Sequence, residues 1–165
     1  MLKYCVEKWD TNKTLLMNAL QSEEIYNKLG DYTYTDLVKL VVKYILNDGK
    51  AEEYDAGEWD EDNITEVDNG DYQGTLLYLI PAKTYQPRED EYLITFVDYG
   101  SCSGCDTLLS IQWDIPNRKY YESDDQIASR KRRTIEDFMT LCLHLVQHMK
   151  KPYIAAWDKH DYSDE

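Results

Sequence analysis

No apolar run in this chain approaches the roughly 20 residues that a membrane-crossing helix needs. The opening stretch MLKYCVEKWDTNK lacks the apolar core of a secretory signal and has charges scattered through it. A cytoplasmic protein is therefore expected, its four cysteines held as reduced thiols or metal ligands rather than disulfides. Basic residues are equally sparse, and none occurs between Ala51 and Ala82. The net charge of −14 repels nucleic-acid phosphates and anionic membranes. Neither is expected as a direct partner. Catalytic signatures are missing too: there is no G-x-S-x-G, Walker A, H-E-x-x-H or G-x-G-x-x-G. No catalytic residue is assigned, and nothing in the chain supports an enzyme.

What is present suffices for a folded core, since 42% of the 165 residues are hydrophobic. Apolar spacing at Leu15, Leu16, Ala19, Leu20, Ile25 and Leu29 predicts a helix over 12–29, capped by Thr11 or Asn12 and ended by Gly30. A second helix is predicted over 35–47, capped by Thr35. GTLLYLIPA (74–82) and EYLITFVDYG (91–100) are rich in β-branched and aromatic residues, and predict an antiparallel hairpin. ITEV, ahead of them, suits a short strand. In DTLLSIQWDI, Leu109, Ile111, Trp113 and Ile115 alternate as in a strand. Asp106 beside small residues is nevertheless a natural N-cap and favours a short helix. A long helix is predicted from 124 to 151, with a break near SRKRR, before Pro152 and a mobile tail from about 153. The expected fold is a single α+β domain over 1–165, with an acidic loop at about 51–73. Two N-terminal helices, a small sheet and a long C-terminal helix make it up.

Cys102 and Cys105 form a lone C-x-x-C. Converging thiolates suit tetrahedral zinc, but a structural site needs two further ligands. No second C-x-x-C exists. His144 and His148, one turn apart on the last helix, are the remaining candidates, on a stripe with Asp137 and Leu141. Cys142 instead falls on a core face with Ile135, Phe138, Met139, Leu145, Val146 and Met149. If the histidine stripe faces the cysteine loop, Cys102, Cys105, Asp106, His144 and His148 form a metal or ligand site. No cofactor is otherwise expected, and zinc is the metal this spacing admits. Three other readings stay open: a redox pair, backbone N–H groups meeting a small anion, and a tight strand-to-helix turn with no chemistry.

Ten of the twenty residues from Glu52 to Asp71 are acidic. The EF-hand pattern fails, because Thr65 stands where its glycine belongs. Carboxylates interleaved with Tyr54, Trp59 and Tyr72 suit docking on a basic face of another protein. Glu52, Glu53, Asp55, Glu58, Trp59, Asp60, Glu61 and Asp62 are the predicted interaction surface. The basic run 130–133 is expected to neutralise part of this loop or to be solvated.

GDYQGTLLYLIP (70–81), TYQP (84–87), YGSCSGCDTL (99–108) and MTLCLHLVQHM (139–149) resemble segments of uncharacterised proteins of tailed bacteriophages. The resemblance covers about the central third of the chain and the last helix. It implies origin rather than activity: an accessory protein in the host bacterial cytoplasm that binds and disables a host protein. The expected target is a nucleic-acid-processing or defence factor. A ligand-sequestering or zinc-binding protein built on the cysteine loop and the His144 stripe is the alternative.

Overall fold

The computed structural model describes residues 2–50, 58–115 and 122–152. Glu52, Glu53, Asp55 and the tail from 153 lie outside them. The elements run α1 (Lys3–Gln21), α2 (Glu23–Tyr26), a 3₁₀ turn (Leu29–Asp31), α3 (Tyr34–Leu40), a π turn (Val41–Leu46), β1 (Thr65–Asp68), β2 (Gly74–Pro81), β3 (Tyr92–Tyr99), α4 (Thr107–Trp113) and α5 (Asp124–Gln147). This is an α+β fold with a long C-terminal helix, as expected.

The first helix begins nine residues before its predicted start and has no side-chain cap. Burial of Cys5, Trp9, Asn12, Leu16 and Leu20 along one stripe fixes it instead. Thr11 and Asn12 thus lie inside the helix. Asn12, 4% exposed, donates to the Ile45 carbonyl at 2.8 Å and to the Asp48 carboxylate. Leu15, expected on the apolar face, is 41% exposed. Thr33, rather than Thr35, caps α3, and its reciprocal bonds with Asp36 form a capping box. Val38, Val41, Val42 and Ile45 are buried, because this helix lies against both α1 and α5.

The chain leaves the π turn through Asp48 and Gly49, both at positive φ (57° and 70°). Lys8 donates to both oxygens of Asp48, at 2.9 and 3.0 Å, tying α1 to this corner. Burial alone would raise the Asp48 pKa, but bonds from Lys8 and Asn12 outweigh it and hold the carboxyl below its usual 3.8. A depressed carboxyl stabilises the fold above its unfolded pKa and loses that contribution as pH falls through the folded value. Asp48→Asn, which tolerates the left-handed backbone, is therefore expected to cost about 1 kcal/mol near neutrality, given the pair's partial exposure. The gap to wild type should close as pH drops below 3.8 in urea titrations.

The sheet order is β1-β2-β3, antiparallel throughout. Register pairs Leu76 with Val97, Tyr78 with Thr95 and Ile80 with Leu93, so all six buried residues point to one face. Thr95 Oγ1 donates to the Leu145 carbonyl at 2.6 Å and fastens that face to α5. Ile94 pairs with Lys150, which covers part of the β3 edge. β1 forms the opposite edge, and all four of its residues are exposed. Its Glu66 accepts from the Tyr78 hydroxyl at 2.8 Å and from Thr35, holding the strand to α3.

α5 is one unbroken helix, capped by Ser123 and Gln126, and it ends four residues before the predicted limit. The break expected at SRKRR does not occur. Arg130 pairs with Glu122, Arg132 reaches Glu136 at 3.9 Å, and Lys131 stacks 4.6 Å from the Tyr26 ring. Among the described residues these bases neutralise their own helix and its neighbours, not the acidic segment.

Candidate functional site

β3 runs into the cysteine loop, and the loop runs into α4. Asp106 ends the turn and is 6% exposed. One of its oxygens accepts from the Leu109 N–H at 2.9 Å and the Tyr34 hydroxyl at 3.1 Å; the other accepts from the Gly100 N–H at 3.0 Å. Tyr34 in turn accepts from the Leu108 N–H at 3.2 Å. Burial raises the Tyr34 pKa, and the Asp106 carboxylate adds to that shift. The aspartate therefore caps α4 and pins the loop to α3. Expected as a metal or ligand group, it is committed to three donors of the fold.

Gly100 permits this tight packing. A Cβ there would lie 2.5 Å from the Cys105 carbonyl oxygen and 2.7 Å from its Sγ. Cys105 N–H donates to the Cys102 carbonyl at 3.0 Å, closing the turn. The two Sγ atoms are 2.7 Å apart, and the Cys102 N–H points at Cys105 Sγ at 3.1 Å. Both thiols are free and exposed. Hydrogen bonding from the Cys102 thiol, followed by backbone N–H bonds, lowers the Cys105 pKa below its ordinary value.

α5 presents Asp137, Leu141 and His144 to the same cleft that Ser103, Gly104 and Cys105 of the loop line. With Asp98 on β3 and Ser110 and Asp114 around α4, they line this cleft of about 700 Å³, which Asp106 also reaches. Among the described residues, no Lys or Arg lines it. Burial lowers the His144 pKa, and the neighbouring His148 ring lowers it further against the opposing Asp98 charge. His144 is thus neutral near pH 7. Cys102 and His148 are not among the lining residues. The His148 ring packs edge-on to Phe96 at 4.5 Å, and its Nδ1 lies 2.7 Å from the His144 carbonyl oxygen. Among the described residues, no three His, Cys, Asp or Glu side chains gather as a metal-binding group. Cys142 is fully buried in the core, as its helix face predicts.

The acidic segment divides. Trp59, expected on the interaction surface, is 4% exposed and belongs to the core. The Asn47 amide clamps its backbone, with Nδ2 to the Trp59 carbonyl at 2.8 Å and the Trp59 N–H to Oδ1 at 3.1 Å. Its indole donates to Tyr4 Oη at 3.0 Å, and Lys151 lies 5.1 Å from its ring. Around it, Glu58 and Asp62 are exposed, while Asp60 and Glu61 are half-buried. Burial raises the Glu61 pKa, although Lys43 and Lys83 are near enough to oppose it. Among the described residues, Tyr72 and Val67, at 81% and 45% exposure, are the exposed large apolar groups of this segment.

Fold and site together define an α+β domain with an exposed dithiol at the mouth of an acidic cleft. It also carries an acidic edge strand, whose Asp68 accepts from the Tyr99 hydroxyl at 2.8 Å. Set against known protein families, curated proteins and solved structures, the chain matches none. No helix among the described residues is long and apolar enough to cross a membrane.

Proposed function

We propose that this protein acts by binding, as a phage accessory protein that occupies a basic, nucleic-acid-facing surface of a host protein. One observation carries the reading. Seven carboxylates lie between Glu58 and Asp71 with no base in that stretch, and among the described residues none of the seven makes an ion pair. Uncompensated charge of this kind costs stability through self-repulsion and gains from an oppositely charged partner. Val67 and Tyr72 supply apolar area beside the charge.

The test is capture of host DNA- or RNA-binding proteins on the immobilised chain. Binding should weaken steeply with salt and be displaced by nucleic acid. Glu61→Gln, Asp62→Asn and Asp71→Asn together should weaken it about tenfold, roughly 1.4 kcal/mol, through slower association. Capture that is indifferent to salt and to nucleic acid would discard the proposal.

The cleft favours a second reading, in which Cys105 and His144 help to hold a small ligand. Its lining of carboxylates and one neutral histidine suits neutral or cationic molecules rather than the anion considered from the loop alone. Zinc would have to draw the thiols and His144 closer together. Metal analysis of untagged protein, with thiol titration before and after chelation, decides between zinc and an organic ligand.

A further inference from the structure

We infer that Cys102 and Cys105 form a thiol–disulfide exchange site that accepts small neutral or cationic disulfides from the acidic cleft. Such exchange does not depend on the binding reading.

Geometry comes first. The sulfurs stand 2.7 Å apart in a turn already closed by the Cys105 N–H bond to the Cys102 carbonyl. Little chain entropy remains to be lost on linking them. The backbone of Gly100 lies directly behind Cys105, and Asp106, the next residue, is held by bonds from the Gly100 and Leu109 N–H groups. Linking the sulfurs is therefore a local event that leaves β3 and α4 where they are.

Selectivity follows from burial. Cys5 and Cys142 are both 0% exposed. Burial raises the Cys5 pKa and pushes Cys142 up to about 12, so neither supplies thiolate near neutrality. Cys105 differs on both counts, being exposed and held below its ordinary pKa by its hydrogen bonds. It also lines the cleft, whereas Cys102 does not. Cys105 is thus the attacking sulfur and Cys102 the resolving one.

The exchange has two steps. Cys105 thiolate attacks one sulfur of a disulfide RSSR, whose S–S bond breaks and releases RS⁻, which takes a proton from water. Cys102 then gives its proton to solvent and attacks Cys105 Sγ in the mixed disulfide, releasing the second RS⁻. The protein dithiol is oxidised by two electrons and RSSR is reduced to two thiols. Among the described residues Asp98, Asp114 and Asp137 line the approach and no Lys or Arg does, so an anionic disulfide is repelled and a cationic one is favoured.

The experiment incubates the reduced full chain with cystamine, hydroxyethyl disulfide or oxidised glutathione, followed by alkylation and peptide mapping. Each rate is taken relative to that of the same disulfide with dithiothreitol. Two of the four thiols should disappear as a Cys102–Cys105 link. Cystamine should outpace oxidised glutathione about tenfold at low salt, with the difference vanishing near ~1 M salt. Cys102→Ser should accumulate a mixed disulfide at Cys105, while Cys105→Ser should react slowly. Four thiols left unchanged, or a stable mixed disulfide in the unaltered chain, would overturn the site. Equal low-salt rates for all three reagents would overturn the role of the cleft.

Discussion

Asp106→Ala is expected to lower the unfolding free energy by about 3–5 kcal/mol, read as a fall in the urea midpoint with loss of helical signal. The capping bond to Leu109 alone accounts for about 1 kcal/mol. The remainder comes from the buried Gly100 N–H and Tyr34 hydroxyl, which lose the carboxylate that accepts from both. Each buried donor without an acceptor costs about 1–3 kcal/mol. Asp106→Asn keeps one carbonyl oxygen but turns an NH₂ towards a donor, so an intermediate loss is expected. A deficit of only about 1 kcal/mol in the alanine variant would show that Asp106 is a cap and nothing more.

Asn47→Ala should cost about 3 kcal/mol, because it orphans both the N–H and the carbonyl of buried Trp59. Its second consequence is functional. Trp59 pairs with Ala82 and is the anchor that holds the start of the described acidic segment against α1 and the C-terminal end of the fold. Once the clamp is gone, Trp59 emission should shift to the red and charge-dependent partner capture should weaken with it. Asn47→Asp keeps the acceptor but sets a buried carboxylate oxygen against the Trp59 carbonyl, so it should not recover the loss. Unchanged emission at full destabilisation would mean that the tryptophan is held without the clamp.

Legibility in the sequence followed the range of each interaction. Composition in 74–82 and 91–100 was sufficient for the hairpin, because β-branched and aromatic residues suit a pleated, half-buried strand and the charged, proline-bearing segment between them marks a turn. Asp106 could be identified as a cap from its small neighbours, since a cap is satisfied within three residues. Asn12 misled for the same reason. It resembles a cap, yet its partners are Ile45 and Asp48, distant in sequence and contributed by another helix. Trp59 misled by composition, because carboxylates surround it in the chain while Asn47, Tyr4 and Lys151 surround it in space. The stripe of Asp137, Leu141 and His144 emerged from helical spacing. That it shares a cleft with Cys105 depends on how α5 docks on the sheet, and Asp114, Ser110 and Thr140 complete the cleft from positions that no local pattern marks.

Among the described residues no strand pairs with the outer side of β1, and that edge bears on how copies of the protein meet one another. A bare edge strand invites a second copy to add its own strand, and most folds obstruct that with a proline, a bulge or a covering loop. Here β1 is four residues long and places Glu66 and Asp68 among exposed neighbours, so two such edges brought together would align like charges. The guard is electrical rather than steric. A surface that repels its own copy on these terms is the one on which the proposed basic partner would dock, so under that proposal self-avoidance and choice of partner are one property.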